Sequence, residues 1–159
     1  MKDLEPLPVS DKISGAPHPS EATTIFGQDS AQQQFLNAFD RGRLHHAWLL
    51  SGPRGVGKAT LVWKIAKFLL TTPNAPAQDG LFGAMSQHVS NLETPPNHPA
   101  LPRILAGSEP ALCVLRRSYD EKRKRFKQNI TVDDVRSLKS FFGLSAADGG
   151  SRVVIIDAA

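Results

Sequence analysis

Between Leu49 and Trp63 the chain reads LLSGPRGVGKATLVW, and Gly52, Gly55, Gly57 and Lys58 in that spacing are suited to gripping phosphate. Glycine lets main-chain amides approach an oxyanion without a Cβ in the way, a helix N-terminus adds unpaired N–H groups, and a lysine supplies a cation for the outer phosphates. The pattern asks next for a serine or threonine, whose hydroxyl joins the coordination shell of Mg²⁺, but position 59 is Ala59. Thr60 is no substitute, because one step along a helix turns a side chain by roughly 100°. Near the carboxyl end, RVVIIDAA offers Asp157 as a strand-end carboxylate able to reach Mg²⁺ through water. Ala158 follows, where a glutamate would orient the attacking water, and a methyl group can do neither that nor accept a proton. Two separate parts of a hydrolytic apparatus are thus missing, and the residues predict retention of nucleotide with poor turnover.

These residues need a strand before the glycine loop and a helix after it. His46 to Ser51 is a short apolar run, expected as a strand covered on both faces. Gly57 to Leu70 is expected as a helix whose inner face is Leu61, Val62, Ile65, Phe68 and Leu69. An earlier helix should start at a capping Asp29, bury Ala31, Phe35, Leu36, Ala38 and Phe39, and end at Gly42. Prolines break residues 71 to 110, leaving Gly80 to Leu92 as the stretch there that could be helical. Ala111 to Arg116 reads as a second buried strand, and SYDEKRKRFKQN as a turn or hairpin tip. Thr131 and Asp134 fit a capping box for a helix with Val135, Leu138, Phe141 and Phe142 on its apolar face, before the strand Arg152 to Ile156. Alternating buried strands and amphipathic helices predict an α/β domain with a mostly parallel sheet.

Composition narrows the rest. The chain has 159 residues and is 40% hydrophobic, enough for one packed domain. The first 22 residues, with Pro6, Pro8, Pro17 and Pro19, read as a flexible arm, and residues 23–159 as the domain. No apolar run approaches the roughly 20 residues of a membrane span, and the start lacks the apolar stretch of a secretory signal, so a soluble cytoplasmic protein is expected. The single cysteine, Cys113, sits in apolar ALCVL and reads as core; without a thiolate cluster no zinc is expected. His45 and His46 are adjacent and face opposite ways in extended chain, which makes a shared metal unfavourable. Trp48 and Trp63 read as core residues. Lys122, Arg123, Lys124, Arg125 and Lys127 make the densest charge run in a chain of net charge +4; the run reads first as a solvated loop, with contact to nucleic-acid phosphates or a partner as the alternative.

Three stretches, IFGQDSAQQQFLNAF, RLHHAWLLSGPRGVGKATLVWKIAKFLL and DEKRKRFKQNITVDDVRSLKSFFGLSAADGGSRVVIIDAA, together resemble the amino-terminal part of the bacterial DNA polymerase III delta-prime family, clamp-loader members of the AAA+ superfamily. The resemblance runs from about residue 20 to the last residue. It implies a P-loop NTPase fold of the RecA-like AAA+ kind, a parallel sheet flanked by helices, truncated after the Walker B strand and lacking the sensor strand between that strand and the P-loop strand. A gap or a substitute pairing is expected there. It also implies a largely static subunit of the assembly that loads the sliding clamp on primed DNA, packed against the tau/gamma ATPase and delta subunits. ATP or ADP, with or without Mg²⁺, is the implied ligand. Ile25, Phe26, Gly27 and Gln28 would lie near the adenine; Gly52, Pro53, Arg54, Gly55, Val56, Gly57, Lys58, Ala59 and Thr60 around the phosphates; and Asp157 at the metal. The arginine that such subunits extend into a neighbour's ATP site would fall beyond Ala159. Two alternatives stay open: an active P-loop ATPase completed by residues beyond Ala159, and a structural subunit whose P-loop is a relic.

Overall fold

The computed structural model describes residues 8–72, 89–143 and 150–157. Helix α1 (Asp29–Asp40) buries Phe35 and Leu36, as the three-and-four spacing requires, and ends at Gly42 with φ of 61°. Asp29 is the first helical residue and not its cap; Gln28 holds the cap position without a side-chain hydrogen bond, and the Asp29 carboxylate instead faces the positive end of the helix dipole. Helix α2 (Lys58–Thr71) starts one residue after Gly57 and continues one residue past Leu70.

Helix α2 is the centre of the molecule because it is buried on two sides. Leu61 and Phe68 join Phe35, Leu36 and Leu92 in one apolar cluster, where the Phe35 and Phe39 rings meet Phe68 edge to face. Trp63 and Ala66 join Ala100, Ile104 and Ile155 in a second cluster. The expected inner face therefore covers half of the truth: Val62, Ile65 and Leu69 are partly buried, while Trp63 is 4% exposed. A helix apolar almost all round belongs between two layers.

Helix α3 (Ala100–Leu105) lies in the proline-rich region and closes over α2. Its Pro99 and Pro102 fall at the cap and in the first turn, where the missing N–H groups would have had no intrahelical partner. Of the helix expected over Gly80 to Leu92, residues 80–88 lie outside the described residues, and 89–92 are not helical.

Strands β1 (Leu112–Leu115) and β4 (Val153–Ile156) pair in parallel, Leu112 opposite Val153 through Leu115 opposite Ile156. Bonds from Val153 N to Ala111 O and from Asp157 N to Leu115 O extend the ladder at both ends. Cys113, expected in the core, is half-buried, and burial pushes its thiol pKa up. Between the two strands come an antiparallel hairpin, β2 (Tyr119–Asp120) and β3 (Arg125–Phe126), and helix α4 (Val132–Gly143). The capping box of α4 forms as expected: Asp134 Oδ2 accepts from Thr131 N at 2.8 Å and from Thr131 Oγ1 at 2.6 Å, and Asp134 N donates to Thr131 Oγ1 at 3.4 Å. Its apolar face is only partly covered. Leu138 and Phe141 are half-buried, Arg152 donates to the Phe141 carbonyl and lies over that ring, but Val135 and Phe142 are exposed.

The strand expected over His46 to Ser51 does not form. The segment has a bend at His46 and no ladder bonds, Leu49 is 94% exposed and Trp48, expected in the core, is 41% exposed. A strand exists through its hydrogen-bonding neighbour, and among the described residues none runs beside 46–51. The expected gap is the outcome: among the described residues β4 pairs with β1 alone, and its Ile156 is exposed.

Residues 8–22, expected as a flexible arm, form turns anchored by Asp11, whose side chain is 1% exposed. Arg116, just after β1, donates to Asp11 at 2.6 Å, and His18 Nε2 lies 3.1 Å from the same carboxyl group. His18 also meets the Trp63 ring edge-on and bonds Ser20 Oγ at 2.7 Å. Burial alone would raise the Asp11 pKa, but the hydrogen bond and charge of Arg116, together with His18, outweigh it and hold the carboxyl below its ordinary value.

Candidate functional site

The glycine loop connects the unpaired segment 46–51 to α2 and takes three backbone conformations that side chains disfavour: Gly52 at φ 150°, Gly55 at 85° and Gly57 at 92°. Gly57 is the helix cap, and its carbonyl accepts the first intrahelical bond from Leu61 N at 3.0 Å. A Cβ on Gly55 or Gly57 would meet nothing within 4 Å, so backbone conformation and not space selects glycine there. Lys58 opens α2 with its ammonium turned back over the loop, donating to Gly52 O at 2.8 Å and Pro53 O at 2.7 Å. Gln28, at the start of α1, donates its side-chain amide to Val56 O at 2.8 Å and tethers the crown of the loop.

Beneath this loop lies a cavity of about 320 Å³, within the usual size range of small-molecule sites, roughly 300 to 1,000 Å³. Its floor is Ala31, Gln34 and Phe35 of α1 with Leu61 and Ile65 of α2, and its rim is Trp48 to Pro53, Val56 and Lys58. Most of this lining is apolar, and Gln28, Gln34, Ser51 and Lys58 are its polar side chains, which suits a flat, partly apolar molecule carrying an anionic tail. Of the residues expected at the site, Gln28, Gly52, Pro53, Val56 and Lys58 line this cavity. Gly55 and Gly57 shape the loop without lining it; Arg54 is exposed on it; Ala59 and Thr60 are half-buried in the first turn of α2. Ile25 packs against the first apolar cluster, Gly27 turns the chain at φ 68°, and Phe26 is 85% exposed outside the cavity wall.

Trp48, Gln34 and Phe35 are wall residues that sequence reasoning did not place at the site. The Trp48 ring tilts against Phe35 at 5.4 Å and its indole N–H donates to His45 O at 3.1 Å. The available signal was proximity: Trp48 stands four residues before Gly52, and Phe35 stands about two helical turns past Gln28.

Asp157 follows β4 with its amide bonded to Leu115 O, and it does not line the cavity. Among the described residues no group of three His, Cys, Asp or Glu side chains stands ready to hold a metal ion. Ala59 in the first turn of α2 leaves the loop without the hydroxyl ligand that would anchor Mg²⁺ beside the phosphates. No helix among the described residues is long and apolar enough to cross a membrane.

Comparison with known proteins gives the chain a family. The family model "DNA polymerase III, delta subunit" matches residues 27–159. The chain is 49% identical over 51 residues to the DNA polymerase III subunit gamma of Buchnera aphidicola subsp. Schizaphis graminum, covering 32% of this chain and 14% of that protein. It is 39% identical over 51 residues to the DNA polymerase III subunit tau of Escherichia coli K12 and to that of Salmonella typhimurium LT2, again 32% of this chain but 8% of each relative. These matches therefore span a small part of the relatives' length. No solved structure matches this chain. A family match over all but the first 26 residues, joined to an α/β fold with a glycine loop at the head of its central helix, identifies the chain as a member of the DNA polymerase III delta subunit family, within the AAA+ clamp loaders.

Proposed function

We propose that this chain is the delta-prime type of clamp-loader subunit, holding an adenine nucleotide, ATP or ADP, as a structural element and hydrolysing it poorly. The observation that carries the reading is the composition of the loop: Gly52, Gly55, Gly57 and Lys58 keep the phosphate cradle, while Ala59 removes the metal-anchoring alcohol. The loop and α2 amides would meet the phosphates, Lys58 would neutralise the outer ones, and the apolar floor around Phe35 would take the base side. Asp157 would reach Mg²⁺ through water only. Ala158, which lies outside the described residues, supplies no base. Such a subunit would serve as a rigid member of the assembly, against tau/gamma and delta, in the cytoplasm, meeting the sliding clamp and primed DNA through its neighbours.

One observation favours the relic reading instead. Lys58 already has two carbonyl partners in its own loop, so a polyphosphate must displace both. Both are bonds from a charged donor, about 1.5 to 3 kcal/mol each, the same range as a charge-assisted bond to phosphate, so displacing them offsets much of what the ammonium would contribute. Titration of the chain with fluorescent ADP and ATP separates the readings. Saturable binding abolished by Lys58→Ala supports the proposal, and identical traces for wild type and variant support the relic. Turnover of ATP at rates ordinary for AAA+ enzymes, unimproved by Ala59→Thr with Ala158→Glu, would instead show an active ATPase.

A further inference from the structure

Helix α3 has six residues, yet it carries Ala100 and Ile104 into the cluster around Trp63 and Ala66, all four of them 4% exposed or less. A helix of this length does not hold together by itself, so the bonds at its two ends decide whether it stays docked on α2. Its carboxyl end is closed by the main chain: Ala106 N donates to Pro102 O at 2.9 Å, Ser108 N donates to Arg103 O at 2.8 Å, and Gly107 turns the chain at φ 68°. Glu109 fastens the same end to the start of β1, accepting from Arg103 Nε at 2.8 Å and from Ala111 N at 3.1 Å.

The amino end rests on one residue. Pro99 holds the cap position and has no side-chain acceptor, and Pro102 has no amide hydrogen, which leaves the Ala100 and Leu101 amides as the donors of the first turn. Both go to His98: Leu101 N donates to its carbonyl at 3.0 Å and Ala100 N to its Nδ1 at 3.2 Å. Ala100 is 3% exposed, so water cannot stand in for the imidazole, and an amide left there without an acceptor is costly. An amide donates only to a ring nitrogen that carries no proton. A proton on Nδ1 would therefore set two donors face to face and break the bond.

The chain holds a second turn of the same order, His18, Pro19 and Ser20, in which Ser20 N donates to His18 Nδ1 at 3.1 Å. That turn tolerates a proton. Asp11 Oδ2 lies 3.1 Å from His18 Nε2, although Arg116 shares the carboxyl group, and the Ser20 hydroxyl, 2.7 Å from Nδ1, can rotate from donor to acceptor. His98 has neither relief. The residue two places on is Ala100, and among the described residues no carboxylate forms an ion pair with His98. The charges on the elements around it are cationic or engaged: Lys64 and Lys67 adjoin Trp63 and Ala66 on α2, Arg103 of α3 is held by Glu109, Ile155 of β4 carries no charge, and Glu93, before the turn, is exposed.

We propose that His98 is a pH-sensitive catch that keeps α3 docked over Trp63 and Ala66 while its Nδ1 is unprotonated and loosens the helix when a proton arrives there. The His18 turn is the same device made insensitive by Asp11 and Ser20. The full chain, labelled with ¹⁵N, is followed by NMR between about pH 8 and about pH 5.5, the range in which histidine side chains in general change charge, for wild type, His98→Asn, His98→Leu and His18→Asn. Asparagine accepts the amide two residues on through its side-chain oxygen and does not change charge, whereas leucine accepts nothing. Ring ¹⁵N shifts are expected to show His98 as the Nε2–H tautomer at the upper end of the range. Hydrogen exchange of the α3 amides, corrected for its intrinsic pH dependence, should quicken about fivefold in wild type on acidification, the effect of losing one helix cap.

The same exchange should stay level in His98→Asn. In His98→Leu it should be about fivefold faster than wild type already at the upper pH, with no further response to acid. His18→Asn should keep the wild-type response. An acid response that survives in His98→Asn, or that disappears in His18→Asn, would overturn the proposal. So would a proton found on Nδ1 of the neutral His98 ring, or α3 amides as protected in His98→Leu as in wild type. If the leucine variant does not fold, the asparagine variant decides alone, since it keeps the turn and removes only the titration.

Discussion

Replacing Gly57 by alanine isolates one physical quantity at the phosphate loop. Gly57 caps α2 at φ 92°, and an added Cβ would meet no atom within 4 Å. Steric exclusion by neighbours therefore contributes nothing, and the whole penalty is that of an L residue in the left-handed region, about 1 to 2 kcal/mol. Added flexibility of glycine in the unfolded chain works the other way, by about 0.4 to 1 kcal/mol, so the net loss is about 0 to 1.5 kcal/mol if the loop holds its shape. Asparagine tolerates this region better than alanine, and Gly57→Asn should lose less. The decisive quantity is thus the difference between the two variants, about 0.5 kcal/mol or more in favour of asparagine, read by urea unfolding monitored by circular dichroism. Chains of this length shift by roughly 2 to 4 °C per kcal/mol, so thermal melts resolve the same order. If Gly57→Ala proves more stable than both wild type and Gly57→Asn, Gly57 does not sit at positive φ in solution, and the loop geometry described above is wrong.

Other consequences are open to direct measurement. Asp134 is held below its ordinary pKa by hydrogen bonds from Thr131, so its contribution is fully present above the unfolded value, about pH 4, and is lost as pH falls through the lower folded value. Asp134→Ala should lose about 0.3 to 1.5 kcal/mol at neutral pH and show a shallower acid limb in a stability-against-pH series; an unchanged limb would contradict the capping box. Asp11, also depressed, has the same sign, and Asp11→Ala should lose about 1 to 3 kcal/mol, less than a fully buried pair because Arg116 remains partly solvated. The same variant should speed proteolysis within residues 8–22, and equal cleavage rates would mean that the Asp11 anchor does not hold. Trp63→Ala should lose about 3 to 5 kcal/mol, and single-tryptophan variants should show acrylamide quenching of Trp48 but not of Trp63; comparable quenching of both would place Trp63 outside the core.

Helices α1, α2 and α4 were legible in the sequence because each carries its own evidence. Phe35 and Leu36 in α1, Leu61 and Phe68 in α2, and the Thr131–Asp134 box of α4 are local patterns, and the structure places them as those patterns require. The failures concern relations between segments. Leu49 and Leu50 look like buried strand, but a strand depends on a neighbour that periodicity cannot show. Pro99 and Pro102 look like breakers, yet in a first turn they break nothing. Trp63 reads as a core residue and is one, but the second buried face of α2 to which it belongs, packed against Ile104 and Ile155, does not show in the spacing. At the candidate site, the loop glycines and Lys58 announced themselves by spacing, whereas the Trp48 and Phe35 walls come from elements brought together by folding.

The account's central claim is that the cradle of Gly52 to Lys58 grips a polyphosphate although Ala59 cannot anchor its metal. Isothermal titration of the chain with ADP, in the presence of Mg²⁺ and again in EDTA, tests it most directly. One site is predicted, with affinities that differ by less than about tenfold between the two conditions, because the metal has lost its protein alcohol. No heat of binding in either buffer, or binding that appears only with Mg²⁺, would contradict it.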